Sequence, residues 1–338
     1  MNHDLSIESR KKAHLDACLD PRVRGNGAGL ECIQLPYDAL FEVTDDILDT
    51  STKIAGIGLR FPLMIGAMTG GTSFASAFNC ALRSLSLKYD IALCLGSMRA
   101  YLNHPELLET YGTGEVQALF ANLGASEILV YSPQVIEDAC KKLGASGLFI
   151  HLNGLQEYMQ DGGNKCFSIS LDSLARFIEK FHLPVFIKEV GSGIGGKCAQ
   201  RLASLPIAGI ETASLGGTSW VKIEANLSQE SHDLGNIEAL NHVGYTLVQS
   251  LRDCVNALKP HQTLIASGGI SNALDIIKCL ALGADLAAIA QPFYAAWQQK
   301  ETEGLEYLIQ EYIAFGRLIW RSTGCRNLGE LKQLAIGN

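Results

Sequence analysis

The sequence predicts a single (β/α)8 barrel. Eight short apolar runs alternate with longer segments of helical periodicity, and eight strand–helix alternations are typical of this fold. The runs are apolar throughout rather than alternating with polar residues, as expected for parallel strands buried on both faces. We predict the strands at residues 62–68, 91–96, 119–123, 148–153, 184–190, 208–214, 263–267 and 286–291.

Amphipathic segments between these strands are predicted helices, at residues 73–88, 133–142, 171–181, 194–205, 237–258 and 272–282. An open doubly wound sheet is the alternative fold for such an alternation. The first strand–helix turn, Gly66 to Gly71, argues against it because it lacks the G-x-G-x-x-G pattern of dinucleotide-binding sheets. We expect one domain with an N-terminal arm at 1–60, a barrel at 61–298 and C-terminal helices at 299–338.

Composition and charge exclude several classes of protein. Hydrophobic residues make up 47% of the 338 residues, enough for a large core, yet no run approaches the ~20 apolar residues of a membrane span. The net charge of −8 argues against a broad nucleic-acid surface. The ten cysteines form no C-x-x-C pair and no signal peptide is evident. We therefore expect a cytoplasmic protein with reduced thiols.

Catalytic side chains of a barrel lie where its strands end, and the first three predicted strands end in candidates. Thr69 precedes Gly70-Gly71, which permits close approach of a ligand, although an ordinary tight turn has the same composition. Arg99 can bind a phosphate in bidentate fashion or make a surface salt bridge. Asn122 can bind the edge of a heterocycle or form an Asx-turn.

The end of the fourth strand has the densest group of polar side chains. His151 and Asn153 are two residues apart, so an extended strand would point both to one face. Gln156 and Glu157 follow at the catalytic end of the barrel. Such groups are costly to bury unless they are satisfied, as in a structural hydrogen-bond network. The carboxylate and amide also suit a magnesium–diphosphate, because Mg²⁺ prefers hard oxygen ligands.

The fifth strand carries Lys188 near its end, on the same face as Phe186. A lysine inside a barrel needs an anion or an electron-rich ring, and the N1–C2=O edge of a flavin is one such partner. Two alternatives stay open for this lysine. It could form a Schiff base, as in barrel aldolases, or pair with a carboxylate of the core.

Glycine pairs follow the sixth and seventh strands, at Gly216-Gly217 and Gly268-Gly269, and Ala290-Gln291 ends the eighth. Asn272 and Asp275 have the spacing of a capping box at the start of the helix after strand seven. Backbone N–H groups at a helix start bind phosphate, and barrels usually hold phosphate in loops seven and eight. The sequence therefore predicts a phosphate site there.

Two motifs form a specific pair: His-x-Asn-x-x-Gln-Glu, ending at Glu157, and Lys-Glu-Val-Gly, ending at Gly191. With these motifs the chain resembles, over nearly its whole length, the type 2 isopentenyl-diphosphate isomerase family, which is FMN-dependent. The other matching motifs are Arg10-Lys11 with His14, residues 65–71, Gly96-Ser-x-Arg99, Asn122, Gly216-Gly-Thr-x-Trp220 and residues 266–269.

The resemblance implies an enzyme of isoprenoid biosynthesis that interconverts isopentenyl and dimethylallyl diphosphate on reduced FMN, with Mg²⁺ and with NADPH or NADH as flavin reductant. It also implies a homo-oligomer, a tetramer or larger, without nucleic-acid or membrane partners. The implied catalytic residues are Gln156, His151 and Asn153, and the implied metal ligand is Glu157. The implied substrate-binding residues are Arg10, Lys11, His14, Ser97, Met98, Arg99 and Gln156. The implied FMN-binding residues are Ala67, Met68, Thr69, Ser97, Asn122, Lys188, Thr218, Gly268, Gly269, Ala290 and Gln291.

Two positions depart from the family pattern. Many relatives have a serine where this chain has Ala213, so one hydrogen bond to the flavin is expected to be missing. The family commonly has Gly-Asp after the Gln-Glu pair, whereas this chain has Gly163-Asn164. An asparagine supplies no negative charge to a metal-bound network, so we expect weaker support of the metal there.

Other barrel activities make different demands on the sequence. Hydroxyacid oxidases have a His-Gly-x-Arg element that this chain lacks, and inosine-monophosphate-type dehydrogenases use a cysteine that residues 214–235 lack. An FMN oxidoreductase, an aldolase acting through Lys188 and a non-catalytic flavin- or phosphate-binding barrel are the alternatives. For an isomerase, Gln156 is a poor acid or base because a neutral amide does not titrate near pH 7. We expect it to position the alkene or relay a proton.

Overall fold

Eight parallel strands close into a barrel, which confirms the predicted fold class. The computed structural model describes residues 2–161, 163, 165, 168–228 and 234–334, and of residues 2–7, 234 and 235 the backbone only. A hairpin of β1 (Thr52–Ile54) and β2 (Ile57–Leu59) precedes the barrel. The barrel strands are β3 (Leu63–Ile65), β4 (Ala92–Ser97), β5 (Leu119–Gly124), β6 (Gly147–His151), β7 (Val185–Lys188), β8 (Gly209–Glu211), β9 (Thr263–Ala266) and β10 (Leu286–Ile289).

All eight predicted strands are present, each shorter than or close to its predicted range. The run at 119–123 is one of the two shortest predicted strands, yet β5 has six residues, all buried. Its Phe120 explains this, because it packs inside the barrel against Phe149 and Phe186, with ring centroids 5.6 and 5.4 Å away. Phe149 and Phe186 stack at 4.8 Å. These three rings fill the barrel interior below the site.

Helices cover the outside of the barrel, and five of the six predicted helices are confirmed. The described helices are α1 (Asn2–Ala17), α2 (Ala75–Tyr89), α3 (Arg99–Asn103), α4 (Pro133–Leu143), α5 (Gly154–Met159), α6 (Leu171–Ile178), α7 (Gly196–Ala203), α8 (Trp220–Leu227), α9 (Leu234–Leu240), α10 (Leu247–Ala257), α11 (Ala273–Ala281), α12 (Gln291–Ser322) and α13 (Leu328–Lys332). Over the described residues, none of these helices is both long enough and apolar enough to cross a membrane.

The prediction of one helix over 237–258 was wrong, because α9 and α10 are separate there. Gly244 has φ +148°, which a helix interior cannot accommodate. Thr246 then starts α10 with a capping box, in which its hydroxyl accepts from the backbone N–H of Gln249. The apolar periodicity continues across the break, so the pattern alone did not reveal it.

The N-terminal arm contains α1 and reaches the carboxyl end of the barrel. The backbone N–H of Gly25 donates to the carbonyl oxygen of Gly217 over 2.8 Å. A side chain at Gly25 would collide with the carbonyl oxygen of Leu215, 1.6 Å from the expected Cβ position. The arm therefore lies directly on the loop after β8, and a glycine is required for this close approach.

Candidate active site

A cavity of about 980 Å³ opens at the carboxyl ends of the barrel strands, between the strand–helix loops and the N-terminal arm. This is the end at which barrels carry out chemistry. Fifteen of the predicted site residues line the cavity: Lys11, His14, Ala67, Met68, Thr69, Ser97, Asn122, His151, Gln156, Lys188, Thr218, Gly268, Gly269, Ala290 and Gln291. All eleven residues expected to bind FMN are among them. Their positions were predictable because most of them lie at or just after the carboxyl end of an apolar strand.

Five predicted residues are not part of the cavity wall: Arg10, Met98, Arg99, Asn153 and Glu157. Met98 is fully buried, and its backbone N–H donates to the carbonyl oxygen of Asn122 over 2.8 Å. Arg99 is half-exposed at the start of α3, with its Nε 3.4 Å from Oε1 of the buried Glu127. Arg99 thus takes the salt-bridge alternative here, with a carboxylate that a diphosphate could replace.

Three cations come together beside the cavity. Lys11, on α1, donates from Nζ to the carbonyl oxygen of Gly70. Its pKa is lowered to about 8, first by burial and then by the neighbouring charges of Arg10 and Arg99. Repulsion among these groups means that an anion placed between them would be strongly stabilised.

The predicted strand at 148–153 ends at His151, so the inference that Asn153 continues the same strand face was wrong. Asn153 has φ −132° and ψ 38° and starts the short helix α5. Its Nδ2 donates to Oε1 of Glu157 over 3.0 Å, and both side chains are buried. The negative charge of Glu157 raises the pKa of Glu127, for which burial is the main cause. Glu157 is thus a buried carboxylate near a second one, next to the Arg99 cluster.

A carboxylate that the sequence analysis missed lies behind Gln156. Glu224, on α8, accepts a hydrogen bond from Nε2 of Gln156 at Oε1, over 2.8 Å. Its Oε2 is 3.2 Å from Nε2 of His14 on α1. Because Nε2 of Gln156 is committed to Glu224, the amide oxygen of Gln156 is left as an acceptor. Glu224 is one helical turn after Trp220, whose ring packs edge-on against His14. This spacing of four residues from a motif residue was the one sign in the sequence that Glu224 could face the site.

His151 is held as a neutral imidazole. Its pKa is lowered to about 3, first by burial and then by the charges of Lys188 and Arg99. Its Nδ1 is 2.9 Å from Oδ1 of Asn122. Because an amide oxygen only accepts, this contact places the proton on Nδ1 and leaves Nε2 as an acceptor. His151 cannot act as a general acid at neutral pH in this environment.

Lys188 lies next to a second carboxylate that the sequence analysis did not single out. The strand register aligns His151 with Lys188 and Lys188 with Glu211. Nζ of Lys188 is 3.7 Å from Oε1 of Glu211, and it donates to the carbonyl oxygen of Glu189 over 2.8 Å. Both Lys188 and Glu211 are buried and line the cavity. Of the two alternatives for this lysine, the structure contains the pair with a core carboxylate.

The glycine-rich loops after β8 and β9 pack backbone to backbone. Gly268 and Gly269 have φ values of +101° and +95°, and a Cβ at Gly268 would lie 2.2 Å from the nitrogen of Ser214. The helix after this loop begins as predicted, because Oδ1 of Asn272 accepts from the N–H of Asp275 over 2.9 Å. Backbone N–H groups in this setting fit a phosphate group.

The cavity wall also contains buried polar atoms without a partner among the described residues. These are Oγ1 of Thr69, Oγ of Ser214 and Oε2 of Glu211. Buried polar groups normally have partners, so this set fits a polar ligand such as the FMN ring and its ribityl chain. Ala213, expected to remove one hydrogen bond, has φ +42°, and the hydroxyl of the next residue, Ser214, is one of the unpartnered groups.

A metal site made by protein ligands alone is not found: within the described part of the chain, no three His, Cys, Asp or Glu side chains group as a metal would require. Mg²⁺ is often held by one or two carboxylates and the oxygens of a substrate phosphate. Glu157, with Glu127 nearby, fits that second type of site. Asn164, where weaker metal support was expected, lies outside the described residues.

Comparison with known proteins points in one direction. A family model described as FMN-dependent dehydrogenase matches residues 139–338. Proteins named isopentenyl-diphosphate delta-isomerase are similar over nearly the full length. The one from Mycolicibacterium gilvum is 32% identical, covering 98% of this chain and 97% of the relative. Those from Nostoc sp. and Synechococcus sp. are 34% and 35% identical, covering 96% and 99% of this chain and 94% and 99% of the relative.

Solved structures show the same fold at lower identity. A putative lactate oxidase of Pediococcus acidilactici aligns with a TM-score of 0.69 and 16% identity, covering 99% of this chain and 94% of the other. The flavin-binding domain of baker's yeast flavocytochrome b2 aligns with a TM-score of 0.67 and 16% identity, covering 96% and 81%. At this identity the likeness concerns the barrel only.

Proposed function

Because the chain belongs to the family of FMN-dependent isopentenyl-diphosphate delta-isomerases, we propose that it interconverts isopentenyl and dimethylallyl diphosphate by moving protons. One observation carries the proposal. A hydrogen-bonded chain of Gln156, Glu224 and His14 lies at the cavity, and the cations of Arg10, Lys11 and Arg99 lie beside it. The glycine-rich loops after β8 and β9 form another part of the cavity wall.

The reaction adds a proton to the terminal methylene of the substrate and removes one from the carbon two bonds away. It involves no net oxidation, and the charge that develops on carbon must be stabilised. Reduced FMN, when bound, supplies an electron-rich face for that charge. NADPH or NADH reduces the cofactor before the first turnover. No further reductant is needed in later turnovers, because the isomerisation does not oxidise the flavin.

The protein's own residues divide the remaining work. Arg10, Lys11 and Arg99 hold the negative head of the substrate, together with Mg²⁺ bound by Glu157. His14 and Ser97 complete the substrate site, and the fully buried Met98 supports it from behind the cavity wall. FMN is held by Ala67, Met68, Thr69, Ser97, Asn122, Lys188, Thr218, Gly268, Gly269, Ala290 and Gln291.

Gln156 relays a proton rather than donating one of its own. Its amide oxygen can accept a proton from the reacting carbon while its Nε2–H passes one to Oε1 of Glu224, which leaves the imidic acid form of Gln156. The amide is restored when the oxygen gives its proton to the terminal methylene of the substrate and Glu224 returns a proton to Nε2. Glu224 has a carboxyl group and Gln156 only a neutral amide, which makes Glu224 the acid–base partner. His151 offers Nε2 as a hydrogen-bond acceptor in the cavity, and Asn153 orients Glu157.

The deciding experiment is an assay with isopentenyl diphosphate, FMN, NADPH and magnesium in D2O, followed by NMR. We expect deuterium in the new methyl group of dimethylallyl diphosphate. The spectrum of the reduced flavin should stay unchanged during turnover, which separates an isomerase from an FMN oxidoreductase. Stoichiometric oxidation or reduction of the flavin by the substrate, or a protein that does not take up FMN, would reject the proposal.

Arg99→Ala is expected to raise KM for isopentenyl diphosphate at least ~10-fold. Charge-assisted contacts contribute about 1.5–3 kcal/mol, and tenfold corresponds to about 1.4 kcal/mol. Steady-state kinetics measure this. The matched control is Arg60→Ala, which removes an arginine paired with Asp90 just before β3, at the opposite end of the barrel, and should leave KM unchanged. An unchanged KM in Arg99→Ala would remove Arg99 from the diphosphate site.

The Lys11 pKa of about 8 predicts a pH dependence. Below that pH the ammonium carries its charge, and above it the charge is lost. Because kcat/KM reports the free enzyme, it should fall as the pH rises through about 8. Lys11→Arg keeps the charge and should move this decline to higher pH, whereas Lys11→Met should lower kcat/KM and abolish the decline. The same decline in Lys11→Met would assign it to another group.

We also propose that the protein forms a homo-oligomer. Three large apolar side chains of α12, Tyr307, Phe315 and Leu318, are about half exposed or more, which supports a contact between copies. Size-exclusion chromatography with light scattering of the FMN-loaded protein measures the mass. A monomer at micromolar concentration would contradict this part of the proposal.

A further inference from the structure

We infer that Glu211 is a positioning residue that neutralises Lys188 and so sets the net charge that the floor of the cavity presents to FMN. The inference rests on the proposed function only in taking FMN as the ligand. It assigns a role to a buried carboxylate that the proton path does not use.

The geometry makes Lys188 and Glu211 one unit. Nζ of Lys188 and Oε1 of Glu211 are 3.7 Å apart, and the two side chains are 9% and 4% exposed. They are on neighbouring strands at the same register position, so both project from one row of the barrel. At this burial neither charge is screened by water, and each needs the other. Removing one partner therefore changes the charge of the site by a full unit.

The carboxylate is fixed in place from its other side. Oγ of Ser267 donates to Oε1 of Glu211 over 2.9 Å, and this hydroxyl oxygen of Ser267 is itself held by the backbone N–H of Ala213, which donates to it over 2.8 Å. Oε2 of Glu211 has no hydrogen-bond partner among the described residues. The negative charge is thus held rigidly in the cavity wall, with Lys188 as the cation beside it.

The thiol of Cys94, inside the barrel, is affected by the charges of both Glu211 and Lys188. Burial raises the pKa of Cys94, the charge of Glu211 raises it further, and the charge of Lys188 lowers it. The charges of Glu211 and Lys188 therefore have opposite effects on the pKa of this neighbouring group. A ligand seated above the pair would likewise meet a cation whose charge is largely cancelled.

The consequence concerns the oxidation state of the bound cofactor. A lone lysine beside the N1–C2=O edge favours reduced flavin, which carries charge there, over oxidised flavin. Glu211 removes most of that preference. It therefore keeps Lys188 as a ligand that orients the ring without binding the reduced form much more tightly than the oxidised form.

The test measures the midpoint potential of bound FMN, without substrate, in Glu211→Gln. We expect the ratio of reduced to oxidised FMN affinity to rise about tenfold, which raises the potential by about 30 mV for a two-electron couple. Glu211→Asp keeps the charge and should stay within about threefold of the parent ratio. A less than twofold change in Glu211→Gln would overturn the inference.

A second variant keeps the inference testable if Glu211→Gln does not fold. Lys188→Gln leaves Glu211 alone, so the potential should fall by a similar amount, and an unchanged potential would overturn the inference. The double variant Glu211→Gln with Lys188→Gln should return toward the parent potential. Failure of the inference is distinguishable from failure of the proposed function, because the D2O assay of the parent enzyme reports on the latter alone.

Discussion

Replacing Glu224 with glutamine should lower kcat by about 10²–10⁴-fold while the FMN content stays that of the parent. A positioned acid–base group contributes about this much to a rate. Glu224 is nearly fully buried, and its two oxygens contact Gln156 and His14 at 2.8 and 3.2 Å. The substitution keeps the shape of the side chain and removes its capacity to take up a proton. Single-turnover and steady-state rates with isopentenyl diphosphate measure the loss.

The chain offers a matched control for this substitution. Glu137, on α4, is equally buried and also contacts a histidine, with its Oε2 2.8 Å from Nδ1 of His182. Its partners Lys141 and His182 do not line the cavity, whereas Gln156 and His14 do, so Glu137→Gln should affect stability and leave kcat unchanged. If Glu224→Gln and Glu137→Gln have the same kcat, Glu224 is not the proton partner.

Gln156→Glu tests the relay from the other end. It places a second carboxylate within hydrogen-bond distance of Glu224, and the two negative charges would repel. We expect a large loss of turnover with FMN still bound. A variant that keeps most of its turnover would show that the amide of Gln156 is not a relay.

Gly268→Ala should reduce FMN affinity by about 100-fold or more and yield a nearly colourless protein. The residue has φ +101°, which costs a non-glycine residue about 1–2 kcal/mol. In addition, its Cβ would lie 2.2 Å from the backbone nitrogen of Ser214. The loops after β8 and β9 would have to separate, and with them the cradle for the phosphate. Absorbance of the purified protein and titration of the apoprotein with FMN measure the effect.

Gly114→Ala is the control that separates the effect of backbone strain from the effect of a steric clash between the loops after β8 and β9. Gly114 has a similar φ of +106°, but a Cβ there would meet nothing within 4 Å. This control should lower the melting temperature slightly and bind FMN normally. Equal FMN affinities in Gly268→Ala and Gly114→Ala would exclude the cradle as the phosphate site.

The sequence was informative where the residues of a single strand or helix determine its structure. Eight apolar runs located eight strands because parallel strands are buried on both faces. The residues that end those strands line the cavity for the same reason. The break at Gly244 was missed because apolar periodicity continues through it, and a single glycine does not reveal its φ.

The carboxylate partners were beyond sequence reasoning for a different reason. Glu224 meets Gln156 across 68 positions and His14 across 210, and only the closed barrel with its arm brings them together. Glu211 was visible as a charge inside an apolar strand, at 208–214, but its partner could not be deduced. Arg99 was predicted at the diphosphate site or in a salt bridge, and it pairs with Glu127, a carboxylate that the sequence analysis did not single out.

The position of α1 has a consequence for how this enzyme could change. Lys11 and His14, two of the groups proposed to bind the substrate's anionic head, come from the arm, whereas the proposed cofactor cradle is made by the barrel loops. Part of the recognition of the head group is thus encoded in a stretch of the gene that is separate from the loops proposed to retain the coenzyme. Exchange of the first twenty or so codons between relatives could alter which phosphorylated molecules are accepted, without the scaffold having to be rebuilt.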